Sequence, residues 1–137
     1  MYKVLVDSNI FVDFMFRRQP FYSNSEKVIS LCEKNIIKGY VTTSILMDLR
    51  YIFYRMSHSN ADADNAVKEI LKVFKVISVE EKDIVNSVEK HQKDFEDSVV
   101  EECSSRNKLN CIVTRNVKDF KNEKIKVITP EELLSMY

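Results

Sequence analysis

The sequence predicts an α/β fold, a three-layer α/β/α sandwich around a central parallel five-stranded sheet. Three observations carry this expectation. Short continuous apolar runs, of the kind a strand covered on both faces needs, recur five times along the chain. Amphipathic helical patterns separate them from end to end. Short polar side chains, at Asp7, Asp48, Asp97, Asn116 and Asp119, stand where a strand gives way to a helix or a helix has just begun. Right-handed crossovers gather such positions at the carboxyl edge of the sheet, where α/β folds bind their ligands.

The first strand is Val4-Leu5-Val6, and Asp7 opens the helix that follows. Val28, Ile29, Cys32 and Ile36 mark one face of the next helix, before the strand at Tyr40-Val41. Thr42, Thr43 or Ser44 caps a third helix, whose apolar face is Ile45, Leu49, Ile52 and Phe53. A fourth helix is read from Val67, Ile70, Leu71 and Phe74, and it leads into a strand at Val76-Ile77. Helices are expected from Glu80 to Glu89 and from about Phe95 to Lys108, with a strand at Cys111-Ile112-Val113 after them. The last strand is Val127-Ile128. Thr129 then caps a helix that starts at Pro130 and runs to the C-terminus.

Composition bounds the rest. The 137 residues fit one domain, 1–137, without low-complexity tracts or internal repeats. Lys+Arg 21 against Asp+Glu 21 gives a formal net charge of zero, so nucleic-acid binding would need a local basic patch. Gly39 is the only glycine, which excludes a phosphate-binding P-loop or a dinucleotide fingerprint. Cys32, Cys103 and Cys111 have no CxxC spacing and each sits in an apolar stretch, so all three are expected as reduced core residues. No apolar run approaches the about 20 residues of a membrane span and no signal pattern opens the chain, so a cytoplasmic protein is expected.

Each acidic position has a plain structural reading beside its chemical one. Asp7 could simply cap a helix, and Asp13 on the next turn reads as a solvated helix residue. Asp48 interrupts the apolar run Ile45-Leu46-Met47. In Asp94-Phe95-Glu96-Asp97, Asp94 fits an N-cap while Glu96 and Asp97 suit the helix dipole. Asp97 is the one expected to turn toward Asp7, and Glu101, four residues on, could join or flank the site. Thr114-Arg115-Asn116 and Asp119-Phe120 follow the fourth strand, where Asn and Asp are also ordinary turn residues.

It is their convergence that points to chemistry. Carboxylates brought within a few ångströms repel one another and raise one another's pKa unless a cation neutralises them. Hard oxygen donors at that density suit Mg²⁺ or Mn²⁺, and the expected reaction is phosphodiester hydrolysis. No histidine stands ready to activate Ser8 or Thr114, since His58 and His91 read as solvated loop residues, so both hydroxyls are expected to hydrogen-bond a metal ligand or a phosphate. Arg17, Arg18, Arg50, Arg55, Arg115, Lys118 and Lys121 are candidate phosphate contacts. Arg115, lying between two site positions, has the best-placed planar fork.

At these residues the chain resembles the PIN-domain family of metal-dependent ribonucleases, especially single-domain members that act as toxins of bacterial toxin and antitoxin pairs. The resemblance rests on Val6-Asp7-Ser8-Asn9-Ile10-Phe11-Val12-Asp13, Ile45-Leu46-Met47-Asp48-Leu49, Lys93-Asp94-Phe95-Glu96-Asp97-Ser98 and Val113-Thr114-Arg115-Asn116-Val117-Lys118-Asp119-Phe120, in that order. It implies a PIN-like fold over essentially the whole chain and Mg²⁺- or Mn²⁺-dependent endonucleolytic cleavage of single-stranded RNA. Asp7, Asp48 and Asp97 match the family's metal-binding acids, and the fourth acidic position falls at Asn116 or Asp119, with Asp119 as the further catalytic acid. Ser8, Asn9, Thr114, Arg115 and Asn116 are the implied substrate contacts. The chain departs from the commonest pattern in having Asp48 where glutamate is frequent and Asn116 where an aspartate is frequent. A homodimer and a small antitoxin partner are also implied.

Two other readings remain. A receiver-like phosphoacceptor domain shares the alternating plan, but it needs an aspartate after the third strand, where this chain has Val76-Ile77-Ser78-Val79. A catalytically impaired PIN-fold module that binds RNA or protein is the alternative that Asp48 and Asn116 keep open.

Overall fold

The computed structural model describes residues 1–90, 94–121 and 124–137. Five strands, β1 (Lys3–Val6), β2 (Lys38–Thr42), β3 (Lys75–Ile77), β4 (Cys111–Val113) and β5 (Lys126–Ile128), form one sheet in the order β3-β2-β1-β4-β5. Every pairing is parallel. The helices among the described residues are α1 (Ser8–Met15), α2 (Tyr22–Glu33), α3 (Thr43–Ser57), α4 (Asn60–Val73), α5 (Glu81–Glu89), α6 (Phe95–Arg106) and α7 (Pro130–Leu134). The expected α/β fold with its five-stranded parallel sheet is the one observed.

The central strands are apolar for the reason the sequence suggested. Val4, Leu5, Val6, Cys111, Ile112 and Val113 are all 0 % exposed, because β1 and β4 are covered on both faces. Burying one such Leu, Ile or Val side chain contributes about 1.5–3 kcal/mol.

Chain order then fixes where a site can form. From β1 the chain moves outward through β2 to β3, then crosses back over the sheet through α5 and α6 to reach β4 on the other side of β1. Right-handed crossovers in opposite directions place α1–α4 and α5–α6 on opposite faces. The boundary between β1 and β4 is therefore the topological switch point, and the loops leaving those two strands diverge and open a crevice.

Gly39 has a packing role that the sequence did not reveal. A Cβ there would stand 2.6 Å from Cδ1 and Cε1 of the Phe74 ring and 2.8 Å from Cys32 Sγ. Phe74, in turn, meets Phe11 edge-on with ring centroids 4.9 Å apart. Four helix ends run into left-handed backbone without glycine, at Arg17, Asn35, His58 and Lys108, with φ of 49°, 57°, 56° and 57°.

Several expectations need correction. Ile36 lies beyond the end of α2 and is 45 % exposed, so it does not extend that helix's buried face. Leu71, 49 % exposed, falls outside the packed face of α4. α6 ends at Arg106 rather than Lys108, and α7 ends at Leu134 before the C-terminus. Thr42 is the cap of α3, its hydroxyl accepting from the Ile45 amide at 3.1 Å. All three cysteines are buried and free, as expected.

Candidate functional site

The register places Val6 opposite Val113. The next residues on the two strands, Asp7 and Thr114, therefore leave the sheet side by side at the switch point. Thr114 Oγ1 donates to Asp7 Oδ2 at 2.8 Å, and the Asp7 amide donates to the Val113 carbonyl at 3.1 Å. The other carboxylate oxygen of Asp7 accepts from the Ser8 amide at 2.8 Å, so Asp7 does cap α1. Capping occupies one oxygen, while Oδ2 is met by Thr114 and Asn9.

Asn9 closes this network. Its amide nitrogen donates to Thr114 Oγ1 at 3.0 Å and to Asp7 Oδ2 at 3.4 Å, while its Oδ1 accepts from the Arg115 amide at 3.2 Å. The Asn116 amide also donates to Thr114 Oγ1, at 3.1 Å. Thr114 is 0 % exposed, and its one proton and two acceptor sites are all in use. The hydroxyl is fixed in direction, which fixes the carboxylate it serves.

The other carboxylates come from separate elements. Asp97 is the third residue of α6, Asp48 is an exposed residue early in α3, and Asp119 closes a 3-10 turn at Val117–Asp119. Burial pushes the Asp97 carboxyl up to about 7, and the charges of Asp7, Asp119, Asp94 and Glu96 add to it. Burial also raises Asp7; the Thr114 and Ser8 hydrogen bonds oppose this, and the Asp119 and Asp48 charges reinforce it. Asp48 is raised by partial burial and by Glu96. Asp7, Asp48, Asp97 and Asp119 thus form one electrostatically coupled group. None of the four pairs with a lysine or arginine among the described residues.

A cluster of like charges without a counter-cation wants one. The donors are all hard oxygens, the chemistry that suits Mg²⁺ or Mn²⁺. Among the described residues no three His, Cys, Asp or Glu side chains stand close enough to make a finished ligand shell. The set fits such an ion in donor type and charge.

Other predicted positions fall differently. Ser8 reaches Asp7 through its backbone amide, and the Asn116 side chain is exposed. Asp94 occupies the cap position of α6, but its side chain makes no capping bond. Glu101 is buried, and its Oε1 lies 3.5 Å from the Lys124 amide, on the approach to β5. Arg50 bonds Asp64 and Asn60, and Arg55 bonds Tyr51, so both belong to the outer surface of α3 and α4. Arg17, Arg18, Lys118 and Lys121 are exposed. His58 ends α3 in solvent. His91 and Lys93 lie outside the described residues.

One reading is overturned, and it bears on a second. Asp13 is not solvated: it is 0 % exposed and accepts from Arg115 Nε at 2.7 Å and Nη2 at 3.1 Å. The Arg115 fork expected to grip a phosphate is therefore held by Asp13, and its guanidinium carbon stands 4.1 Å from the centre of the Phe21 ring. Sequence reasoning also passed over Glu96, whose charge acts on both Asp48 and Asp97. Its position beside Asp97 in the first turn of α6 was the available signal.

A family model described as PIN domain matches residues 3–118. No curated protein matches the chain in sequence. Among solved structures it is similar to VapBC2 from Rickettsia felis bound to a DNA fragment from their promoter, at 16 % identity over 93 % of this chain and 98 % of that one, with a TM-score of 0.66. FitAcB from Neisseria gonorrhoeae is 15 % identical over 93 % of this chain and 98 % of that one, with a TM-score of 0.67. The sarcin-ricin-loop-cleaving toxin VapC20 from Mycobacterium tuberculosis is 11 % identical over 80 % of this chain and 86 % of that one, with a TM-score of 0.64. At such identities the likeness is one of fold.

Proposed function

The chain belongs to the PIN-domain family, and from that premise we propose that it is an Mg²⁺- or Mn²⁺-dependent endoribonuclease that hydrolyses phosphodiester bonds of single-stranded RNA, acting as the toxin of a toxin–antitoxin pair. What supports this reading is that Asp7 leaves β1 at the switch point, held by Thr114 of β4, with the Asp48 and Asp119 charges acting on it and its own charge acting on Asp97.

In this reading Asp7, Asp97 and Asp48 hold the cation and Asp119 completes the catalytic group. Bound there, the ion supplies Lewis acidity toward a phosphate oxygen and makes a water more acidic. Thr114 and Asn9 hold the Asp7 carboxylate in one orientation. Asp48, exposed at the rim, and Asp119, half-buried, orient water against the scissile phosphate. Ser8, Asn116 and the Arg115 segment line the path of the strand, and Lys118 and Lys121 offset its charge.

The antitoxin partner is supported by the fold's company: one likeness is a toxin–antitoxin complex from Klebsiella pneumoniae, and VapBC2 is held with a DNA fragment from its promoter. A homodimer is supported by exposed apolar rows, Met47 and Tyr51 on α3 and Ile84, Val85 and Val88 on α5. Three buried free thiols suit a reducing cytoplasm. Among the described residues no helix is long and apolar enough to cross a membrane.

The test is cleavage of a mixed single-stranded RNA pool by the wild-type chain and by Asp7→Asn, each with Mg²⁺, Mn²⁺ or EDTA. Metal-dependent cutting that the variant loses is the expected result. Equal silence of both proteins, with RNA or partner binding retained, would replace the enzyme by a binding module, the reading that the exposed neutral Asn116 favours.

A further inference from the structure

The connection between α1 and α2 carries Arg17, Arg18 and Phe21, and Tyr22 opens α2, an interleaving of cations and aromatic rings that the catalytic reading does not use. Arg17 and Arg18 are exposed. Phe21 keeps 37 % of its surface exposed while the Arg115 guanidinium covers it at 4.1 Å. The guanidinium is itself locked by two bonds to the buried Asp13. Arg115 is thus not a mobile cation that happens to rest on a ring. It is a fixed plane, and ring and plane together form a rigid two-membered stack.

That stack is tied to the carboxylate cluster through the backbone. The Arg115 amide donates to Asn9 at 3.2 Å, and Asn9 bonds both Thr114 and Asp7. A phosphodiester at the cluster therefore has its neighbouring nucleotides within reach of the α1–α2 connection. Unpaired bases stack on aromatic rings and on guanidinium planes, whereas bases in a duplex have their faces covered. Exposed cations on the same connection, Arg17 and Arg18, suit the adjoining phosphates.

Resting on the proposed function, we propose that the Phe21–Arg115 stack is the landing platform for an unpaired nucleobase of the RNA strand cut at the carboxylate cluster. It gives the site its preference for single strands without reading base edges. The bare alternative is a purely structural clamp on the α1–α2 connection, and it predicts no contact with RNA.

The chain has no tryptophan, so Phe21→Trp introduces a sole indole at the platform. In an Asp7→Asn background, which prevents cutting, an unstructured mixed-sequence RNA octamer is titrated and followed by anisotropy of a terminal label and by indole emission. Phe21→Trp should keep the affinity and lose emission as RNA binds, while Phe21→Ala should bind about tenfold more weakly, the scale of one lost base stack. The same octamer annealed to its complement should not quench the indole. Unchanged affinity in Phe21→Ala, or an indole indifferent to bound RNA, would overturn the platform and leave the nuclease standing. Failure of the Asp7→Asn protein to bind the octamer at all would overturn both.

Discussion

Thr114 Oγ1 donates its proton to Asp7 Oδ2 at 2.8 Å, across the boundary between the two strands where the chain's direction of winding reverses. The hydroxyl is buried and also accepts from Asn9 and from the Asn116 amide. Thr114→Val keeps the shape but leaves both donors and the carboxylate without this partner. We expect cleavage to fall about 10- to 100-fold, the usual cost of removing a group that orients a metal ligand. Stability should drop by about 1–2 kcal/mol in urea denaturation. Thr114→Ser should retain most of both, and equal rates for Val and wild type would sink the role.

A second buried acid depends on a distant arginine. Arg106 donates to Asp83 Oδ1 at 3.1 Å and to Oδ2 at 2.9 Å, and it also reaches Glu80 and the Ser78 carbonyl. Burial alone would raise the Asp83 carboxyl, but the Arg106 hydrogen bonds, the Glu80 amide and the Arg106 and Lys82 charges outweigh it and hold the group below its ordinary value. An acid depressed in the folded state adds stability above its unfolded pKa and loses it as pH falls through the folded value. Arg106→Met should therefore cost about 3 kcal/mol near pH 7, because it strands a buried carboxylate. The deficit should shrink as pH falls from about 4 and be lost only below the depressed folded value, where Asp83 is neutral folded and unfolded alike. Denaturation curves at several pH values would check this, and a deficit independent of pH would point to packing instead.

The sheet was legible because a strand covered on both faces leaves an apolar run that periodicity detects, and the switch point followed from strand order. The sequence left the strand order open, so Asp7 and Thr114 came side by side only once β1 and β4 were paired. Asp13 was hidden as well. A lone acid on a helix reads as solvated, and the partner that makes its burial tolerable is Arg115, 102 residues away. The same pairing engages two nitrogens of the arginine expected to contact phosphate, and Phe21 entered the picture only once the α1–α2 connection had folded against Arg115. Glu96 was hidden differently, since the helix dipole explains an acid in a first turn without asking what it faces. Ile36 and Leu71 were misplaced where α2 ends and where the packed stripe of α4 runs out.

Gly39 should resist even the smallest substitution. A methyl group there meets the Phe74 ring at 2.6 Å and Cys32 Sγ at 2.8 Å, and Phe74 is buried against Phe11 with little freedom to retreat. Gly39→Ala should cost about 1–3 kcal/mol through overpacking. Combining it with Phe74→Leu should recover part of that loss, so the pair should be non-additive in a double-mutant cycle. Additive losses would mean that strain lies in the backbone of β2 rather than under the ring.

The carboxylate cluster should be visible as a stability cost that a cation removes. Asp97 is pushed up to about 7 from an ordinary value of 3.8, first by burial and then by the charges of Asp7, Asp119, Asp94 and Glu96. An acid whose pKa is raised by folding binds more protons folded than unfolded between those two values, so its effect on stability worsens as pH rises from about 4 to 7 and is complete above that. In EDTA, Asp97→Asn should be more stable than wild type by about 1–2 kcal/mol at pH 8, allowing for solvent screening of this half-buried group, with no gain near pH 4. Mg²⁺ or Mn²⁺ should raise the wild-type melting temperature more at pH 8 than at pH 5.5, because protons and cation compete for the same oxygens. The Asp97→Asn melt should respond little, and the variant should not cleave RNA. Thermal melts across pH, with and without the ion, test all of this. A wild-type melt indifferent to the ion at every pH would remove the cluster as a metal site, whereas a wild type more stable at pH 8 than Asp97→Asn in EDTA would mean that the Asp97 charge is already compensated by the protein.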